Sequence, residues 1–329
     1  MLTHKVGVIA GDGIGPEIVA EALKVVRATG VDFDVRAFDF GADRYVRDQH
    51  VLDDADLAAV RDCDAILKGP LGPPIGDTAV PPGTIERGII LRLRFALDLY
   101  VNLRPFANGA LDFVVVRENT EGGYAGEGGF LYKGTPREVA TQGSVNTRSG
   151  VERCVRYAFE LAQSRPRRHL TLVHKTNVLT FAGDLWERTF KDVAGEFPDV
   201  ATAYNHVDAS CIYLVEDPGR YDVIVTDNLF GDILTDLAGA VTGGVGFAAS
   251  ANLNPARTGP SLFEPVHGSA HDIVGTNTAN PVSAIKSAAM MLDFLGESDA
   301  AARIVKAIGD PAKLSGNTAD LGTQISERV

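Results

Sequence analysis

Short apolar runs rich in β-branched residues alternate with amphipathic stretches along this chain. Residues 6–10, 33–38, 65–67, 112–116, 170–173, a segment near 200–207 and 223–225 each have the length and composition of a buried strand. Between them, apolar positions recur at helical spacing over about 16–27, 56–61, 84–97, 152–162, 180–196 and 282–295, and a last helix starts at Ala300. Such alternation predicts an α/β protein with a largely parallel sheet. The run RENTEGGYAGEGG and its continuation to Thr135 have little helical period and read as a hairpin or arm.

Chemistry-bearing residues gather where the strands end. In residues 221–237, YDVIVTDNLFGDILTDL, Asp227 or Asn228 caps a helix whose core face is expected to carry Leu229, Ile233 and Leu237. Asp232 and Asp236 are four apart, so both carboxylates project from one face and repel each other unless a cation or strong donors intervene. They are either a solvated face near a helix N-terminus or ligands of a hard cation, Mg²⁺ or Mn²⁺. Asp208, expected at the end of the strand near 200–207, is a third carboxylate. Lys175, with His174 and Asn177, follows strand 170–173, where parallel sheets bind ligands. Arg94 and Arg104 suit a two-pronged clamp on carboxylates, whereas Arg87 and Arg92 read as surface residues.

After the first strand, GDGIGPE supplies glycines for a tight turn and Pro16 for a first helical turn. Its spacing is not G-x-G-x-x-G, which argues against a Rossmann phosphate loop. In FEPVHGSAHDIVGTNTANP, residues 263–281, His267 is either a proton carrier or part of a nucleotide-binding loop. With 329 residues, 45% of them hydrophobic, the chain can bury the cores of two domains. A net charge of −12 argues against nucleic acid, so any anionic substrate depends on a local basic cluster. Three cysteines without metal spacing fit a reducing cytoplasm, and no apolar run has the length of a signal peptide or a membrane span.

GDGIGPE, NLRP (102–105), RENTEGGY (117–124), HKTN (174–177), TDNLFGDILTDL (226–237) and EPVHGSAHDI (264–273) occur in one order, and together they resemble the β-decarboxylating dehydrogenases that act on isopropylmalate, isocitrate, homoisocitrate and tartrate. The likeness runs from about residue 5 to 325, and LRLRF and HLTLVHKTNVLTFAG are most similar to the actinobacterial isopropylmalate branch. It implies a non-Rossmann α/β/α fold with domain one at about 1–98 plus 243–329. Domain two, about 99–242, would carry an arm that clasps a second subunit of a homodimer.

For the site, the resemblance implies Asp208, Asp232 and Asp236 as Mg²⁺ or Mn²⁺ ligands, with Lys175 and Asp208 contributed across the dimer. Lys175 would be the base and Tyr124 the acid. Arg94, Arg104 and Arg117 would hold substrate carboxylates, and Ile89, Ile90 and Val178 would form an apolar wall. NAD would meet Asn177, Glu264, His267, Gly268, Ser269, Ala270, Asp272, Ile273 and Asn280, with Asp272 on the adenosine ribose. The implied reaction is NAD-linked oxidative decarboxylation of 3-isopropylmalate; the alternative is another alkylmalate, tartrate, malate, homoisocitrate or an acidic malate analogue. Departures from the pattern are the short FANGAL between NLRP and DFVVVREN, AHDI for the usual APDI, GTNTANP, and SCIYL after Asp208.

Overall fold

Residues 3–310 and 313–329 are described by a computed structural model; Met1, Leu2, Pro311 and Ala312, which the resemblance assigns to domain one, lie outside the described residues. Two units divide the chain, Met1–Leu99 with Gly243–Val329, and Tyr100–Thr242. The first opens with β1 (His4–Ile9), α1 (Gly15–Ala28), β2 (Phe33–Ala37), α2 (Ala42–Asp48), α3 (Asp54–Arg61) and β3 (Ala65–Lys68). A π-helical turn at Glu86–Leu91 then runs into α4 (Arg92–Ala96). The second unit holds β4 (Val101–Asn108), β5 (Leu111–Glu118), β6 (Gly128–Leu131), β7 (Val139–Gln142), α5 (Arg148–Ser164) and β8 (His169–His174). It continues with α6 (Thr180–Ala194), β9 (Ala201–His206), α7 (Val207–Glu216), β10 (Val223–Thr226) and α8 (Asn228–Val241). The chain then completes the first unit with β11 (Ala249–Leu253), β12 (Ser261–Pro265), α9 (Val282–Phe294), α10 (Ser298–Ile308) and α11 (Thr318–Ser326).

In the first unit the strand order is β2-β1-β3-β12-β11, parallel except for the β11–β12 pair. Helix α9 is buried along most of its surface, and its small residues Ala284, Ala288 and Ala289 let it lie close to the sheet. In the second unit the order is β4-β5-β10-β8-β9, with β4–β5 antiparallel and the rest parallel. Its central strand VIVT is fully buried, as a parallel strand covered on both faces must be. The short FANGAL segment is explained here. Asn108 pairs with Leu111 across a two-residue hairpin turn, and Gly109 supplies the left-handed φ of 60° that such a turn demands.

The expected helix over 84–97 is instead a π turn followed by an α-helix. Ile85, Ile89, Leu93 and Leu97 are all buried in one apolar cluster and are spaced by four. In an α-helix of 3.6 residues per turn, each step of four drifts about 40° around the axis. A wider turn winds part of that drift back, so the four side chains stay on one core face.

On α8 the expected core face does not hold. Leu229 and Ile233 are 48% and 51% exposed, whereas Gly231, Leu234, Thr235 and Ala238 are buried. The buried face is the one with small residues, because it must pass close to Arg117: a Cβ on Gly231 would lie 2.5 Å from Arg117 Cγ. Asp208 is also displaced from its expected strand end, into the first turn of α7.

Candidate active site

Within the second unit, Asp232 is the point on which the candidate residues converge. β5 ends in a fully buried Arg117, whose Nε and Nη2 donate to Asn228 Oδ1 at 3.0 and 2.7 Å while Nη1 donates to Asp232 Oδ1. The Tyr124 hydroxyl donates to the other carboxylate oxygen at 3.1 Å, and its ring lies 5.1 Å from the Arg117 guanidinium. Arg104, on β4, donates to Thr235 Oγ1 and brings Nη2 to 3.8 Å from Asp232 and Nη1 to 4.0 Å from Asp236.

These contacts set the two carboxyls apart. Burial pushes Asp232 up, but Arg117, Arg104 and the Tyr124 hydrogen bond outweigh it and hold the group below the usual carboxylate range. Asp236 is raised, first by burial and then by the charge of Asp232. That residual repulsion between two carboxylates, both oxygen ligands, is what a hard divalent cation relieves.

Lys175 and Asp208 form a separate pair, Nζ donating to Oδ2 at 2.7 Å, and this bond holds the Asp208 carboxyl below its ordinary range. Among the described residues of one chain, Asp208, Asp232 and Asp236 do not gather into a common ligand cluster. The three-residue cluster that does form is His50, Asp53 and Asp56, where Asp53 and Asp56 are the capping box of α3. Asn177 and Val178 are both exposed.

The first unit supplies the loop after β12. Ile14 donates its backbone N–H to the Ser269 carbonyl at 2.9 Å, and Gly13, at φ 61°, passes so close that a Cβ there would meet that oxygen at 2.0 Å. Ser269 Oγ donates to the Gly72 carbonyl at 3.2 Å, and His271 Nε2 lies 2.8 Å from the same oxygen. The GDG loop is therefore a scaffold for the His267–Ile273 loop: buried Asp12 accepts from the backbone of Ala42, Asp43 and Gly72. His267 Nε2 is buried without a hydrogen-bonded partner among the described residues, and Asp272 and Gly268 are exposed. An unused ring nitrogen and a free carboxylate on one loop suit the hydroxyls and amides of a dinucleotide. Ala270, with φ 38°, starts the turn carrying Asp272 and Ile273, and Asn280 Oδ1 accepts from Val282 N at 2.9 Å.

The isoleucine pair divides. Ile89 is fully buried in the apolar cluster, where the π turn keeps it on one face with Ile85 and Leu93. Ile90 borders a small cavity together with Lys68, Arg94, Asn252 and Glu264. Lys68 is a residue that sequence reasoning missed. Its ammonium is buried against Glu264 at 2.5 Å, and Asn252 donates to the same carboxylate at 2.6 Å. Burial pushes Glu264 up, but Lys68 and Asn252 outweigh it and leave it lowered. The available signal was a lysine closing the otherwise apolar strand AILK just before Gly69.

Comparison with known proteins places this geometry. The family model described as isocitrate/isopropylmalate dehydrogenase matches residues 5–328. The chain is 56% identical to a 3-isopropylmalate dehydrogenase of Corynebacterium aurimucosum, over 99% of this chain and 98% of that one. It is 54% identical to the 3-isopropylmalate dehydrogenase of Rhodococcus opacus over the same shares. Among solved structures, an isocitrate dehydrogenase from Methylococcus capsulatus has 40% identity and a TM-score of 0.89 over 99% of both chains. A strand-end arginine, a tyrosine and a carboxylate-bearing helix thus stand in a chain matched from end to end, and it belongs to the isocitrate/isopropylmalate dehydrogenase family.

Proposed function

We propose that the protein catalyses NAD-linked oxidative decarboxylation of 3-isopropylmalate to 2-oxoisocaproate, a step of leucine biosynthesis, with Mg²⁺ or Mn²⁺ held by Asp208, Asp232 and Asp236. The observation that carries the reading is Asp232, gripped by Arg117 and Tyr124 with Arg104 beside it; the names of the relatives supply the substrate. When bound, the cation supplies charge stabilisation for oxygens of the reacting acid, and the dinucleotide accepts a hydride. Arg94, Arg104 and Arg117 hold the substrate carboxylates. Lys175 takes the hydroxyl proton, and Tyr124 returns a proton to the carbon that has lost CO₂. Asn177, Glu264, His267 to Ala270, Asp272, Ile273 and Asn280 hold the dinucleotide.

A homodimer completes the site, with Lys175 and Asp208 crossing to the partner. Two features support it. One chain leaves Lys175 and Asp208 apart from the Asp232 cluster. Adjacent helices α7 and α8 also leave Ile212, Val215, Leu229 and Ile233 about half exposed, an apolar stripe of the kind that marks an interface. The β6–β7 hairpin, with Phe130, Leu131 and Tyr132 exposed, serves as the clasp.

Steady-state kcat/KM with NAD⁺ and Mn²⁺ tests the substrate: isopropylmalate should exceed isocitrate and tartrate, and a ratio near or below one overturns the choice. Buried Lys68 beside Ile90 favours a second reading, an acidic malate analogue, which that ratio also decides. The two isoleucines should separate in the same assay. Ile90→Ser should lower the preference for isopropylmalate. Ile89→Ala should instead lose roughly 2–5 kcal/mol of stability, read by denaturant unfolding, with little change in preference. NAD should be favoured over NADP, because a 2′-phosphate beside Asp272 costs about 2 kcal/mol or more, a discrimination of roughly 30-fold. Equal kcat/KM for the two cofactors refutes the role of Asp272.

A further inference from the structure

Behind the Asp232 cluster lies a buried polar contact that the proposed reaction does not use. His174, the last residue of β8, is fully enclosed, and its Nε2 lies 3.5 Å from Asp227 Oδ2. Among the described residues, neither ring nitrogen has a hydrogen-bonded partner. The imidazole is stacked against Trp186, with centroids 5.7 Å apart, and meets Phe230 edge-on at 5.5 Å. Burial pushes its pKa down to about 4, so at neutral pH it is an uncharged ring with one N–H to give.

Asp227 has two tasks. Its Oδ1 accepts the Phe230 N–H at 2.8 Å and so caps α8, while Oδ2 faces the imidazole. Burial pushes its carboxyl up to about 6; Glu118 adds to this and Arg117 opposes it. Among the described residues, those two groups on β5 and His174 on β8 are the ionisable neighbours that face it. The next residue, Asn228, accepts two Arg117 hydrogen bonds and donates to the Glu121 carbonyl at 3.0 Å. One turn further on, Asp232 accepts from Arg117 and Tyr124. The first two turns of α8 therefore link the strand that ends at His174 to Arg117, Tyr124 and Asp232. A helix moves as a rigid rod, so a shift at its cap carries through to Asp232.

We propose that Asp227, steadied by the buried imidazole of His174, is a positioning residue that sets where Asp232 and Arg117 stand toward the divalent cation and the substrate. The inference rests on the proposed metal-dependent reading of Asp232 and deepens it. Two variants separate positioning from mere packing. Asp227→Asn keeps a good helix cap and removes the carboxylate that His174 meets. His174→Phe keeps an aromatic ring between Trp186 and Phe230 and removes the nitrogens.

The direct readout is binding of Mn²⁺ alone, followed by the loss of its free-ion paramagnetic resonance signal. Trp186, the single tryptophan, reports the pair through its emission. Asp227→Asn should unfold at nearly the wild-type temperature, bind Mn²⁺ about tenfold or more weakly, and show an altered Trp186 emission. His174→Phe should weaken Mn²⁺ binding in the same direction; if it fails to fold, Asp227→Asn decides. Wild-type Mn²⁺ affinity in Asp227→Asn overturns the proposal and leaves the pair a cap and a packed ring. If the wild type binds Mn²⁺, Asp227→Asn binds it weakly and isopropylmalate is not turned over, the substrate reading falls and the positioning role stands. A wild type that binds no Mn²⁺ overturns both the metal reading and this one.

Discussion

Asp232→Asn is expected to lower kcat by about 10³-fold or more while the protein still folds. A divalent cation contributes several kcal/mol of charge stabilisation to oxygen chemistry of this kind, and about 4 kcal/mol corresponds to three orders of magnitude in rate. The substitution keeps the shape of the side chain and removes the charge that raises Asp236. It does not strand Arg117, which retains both hydrogen bonds to Asn228. Circular dichroism and a thermal midpoint close to wild type would separate loss of function from loss of fold. Wild-type turnover in this variant, or in native protein with excess EDTA, would remove Asp232 from the metal site.

The second large effect concerns the dimer. Lys175→Ala and Asp232→Asn should each be inactive as pure proteins, and mixing them under conditions of subunit exchange should restore activity. Each hybrid dimer would contain one site assembled from an intact Lys175 on one subunit and an intact Asp232 on the other. Random exchange of equal amounts makes about half of the dimers hybrids with one working site each, so recovery approaches about a quarter of wild type. If exchange is demonstrated by mass spectrometry and activity stays absent, each site takes both residues from the same subunit. The present chain favours crossing, because Lys175 is engaged with Asp208 and not with the Asp232 group.

Much of this organisation is legible in the sequence for one reason: buried parallel strands are short, apolar and punctuated, and their ends carry the chemistry. Val223–Thr226 and Asp227 are the clearest case, since the strand, the cap and the carboxylate helix follow within a few residues. Strand β4 is hidden because LDLYVNLRP runs from α4 without a glycine or proline to mark the break. The boundary is Asp98, which takes the left-handed conformation at φ 49°. Helix α7 is obscured for a different reason. Ile212 and Val215 are apolar but exposed, so the periodicity does not point to the core of the chain that carries them. The same confusion of an outward apolar face with a core face misplaced Leu229 and Ile233. Contacts between distant segments, such as Lys68 with Glu264 or His174 with Asp227, leave no local period and emerge only from the fold.

The π turn at Glu86–Leu91 gives this chain a length-sensitive joint. An α-helix closes its hydrogen bonds one residue sooner than a π turn does, so the widened turn amounts to one inserted residue. Deleting a residue there would let the helix close as an ordinary α-helix; Ile85 and Leu93 would then stand seven residues apart, about 20° short of two full turns, and keep a common face. A second deletion would carry Ile85 about 100° further around the axis and out of the apolar cluster it shares with Leu93 and Leu97. Substitutions in this segment keep the spacing between Ile90 and Arg94, the π turn absorbs the loss of one residue, and any further change in length resets the helical phase. Divergence here is therefore tolerated in side-chain size and opposed in chain length beyond one residue, and the segment can change which acid is accommodated without changing how its carboxylate is held.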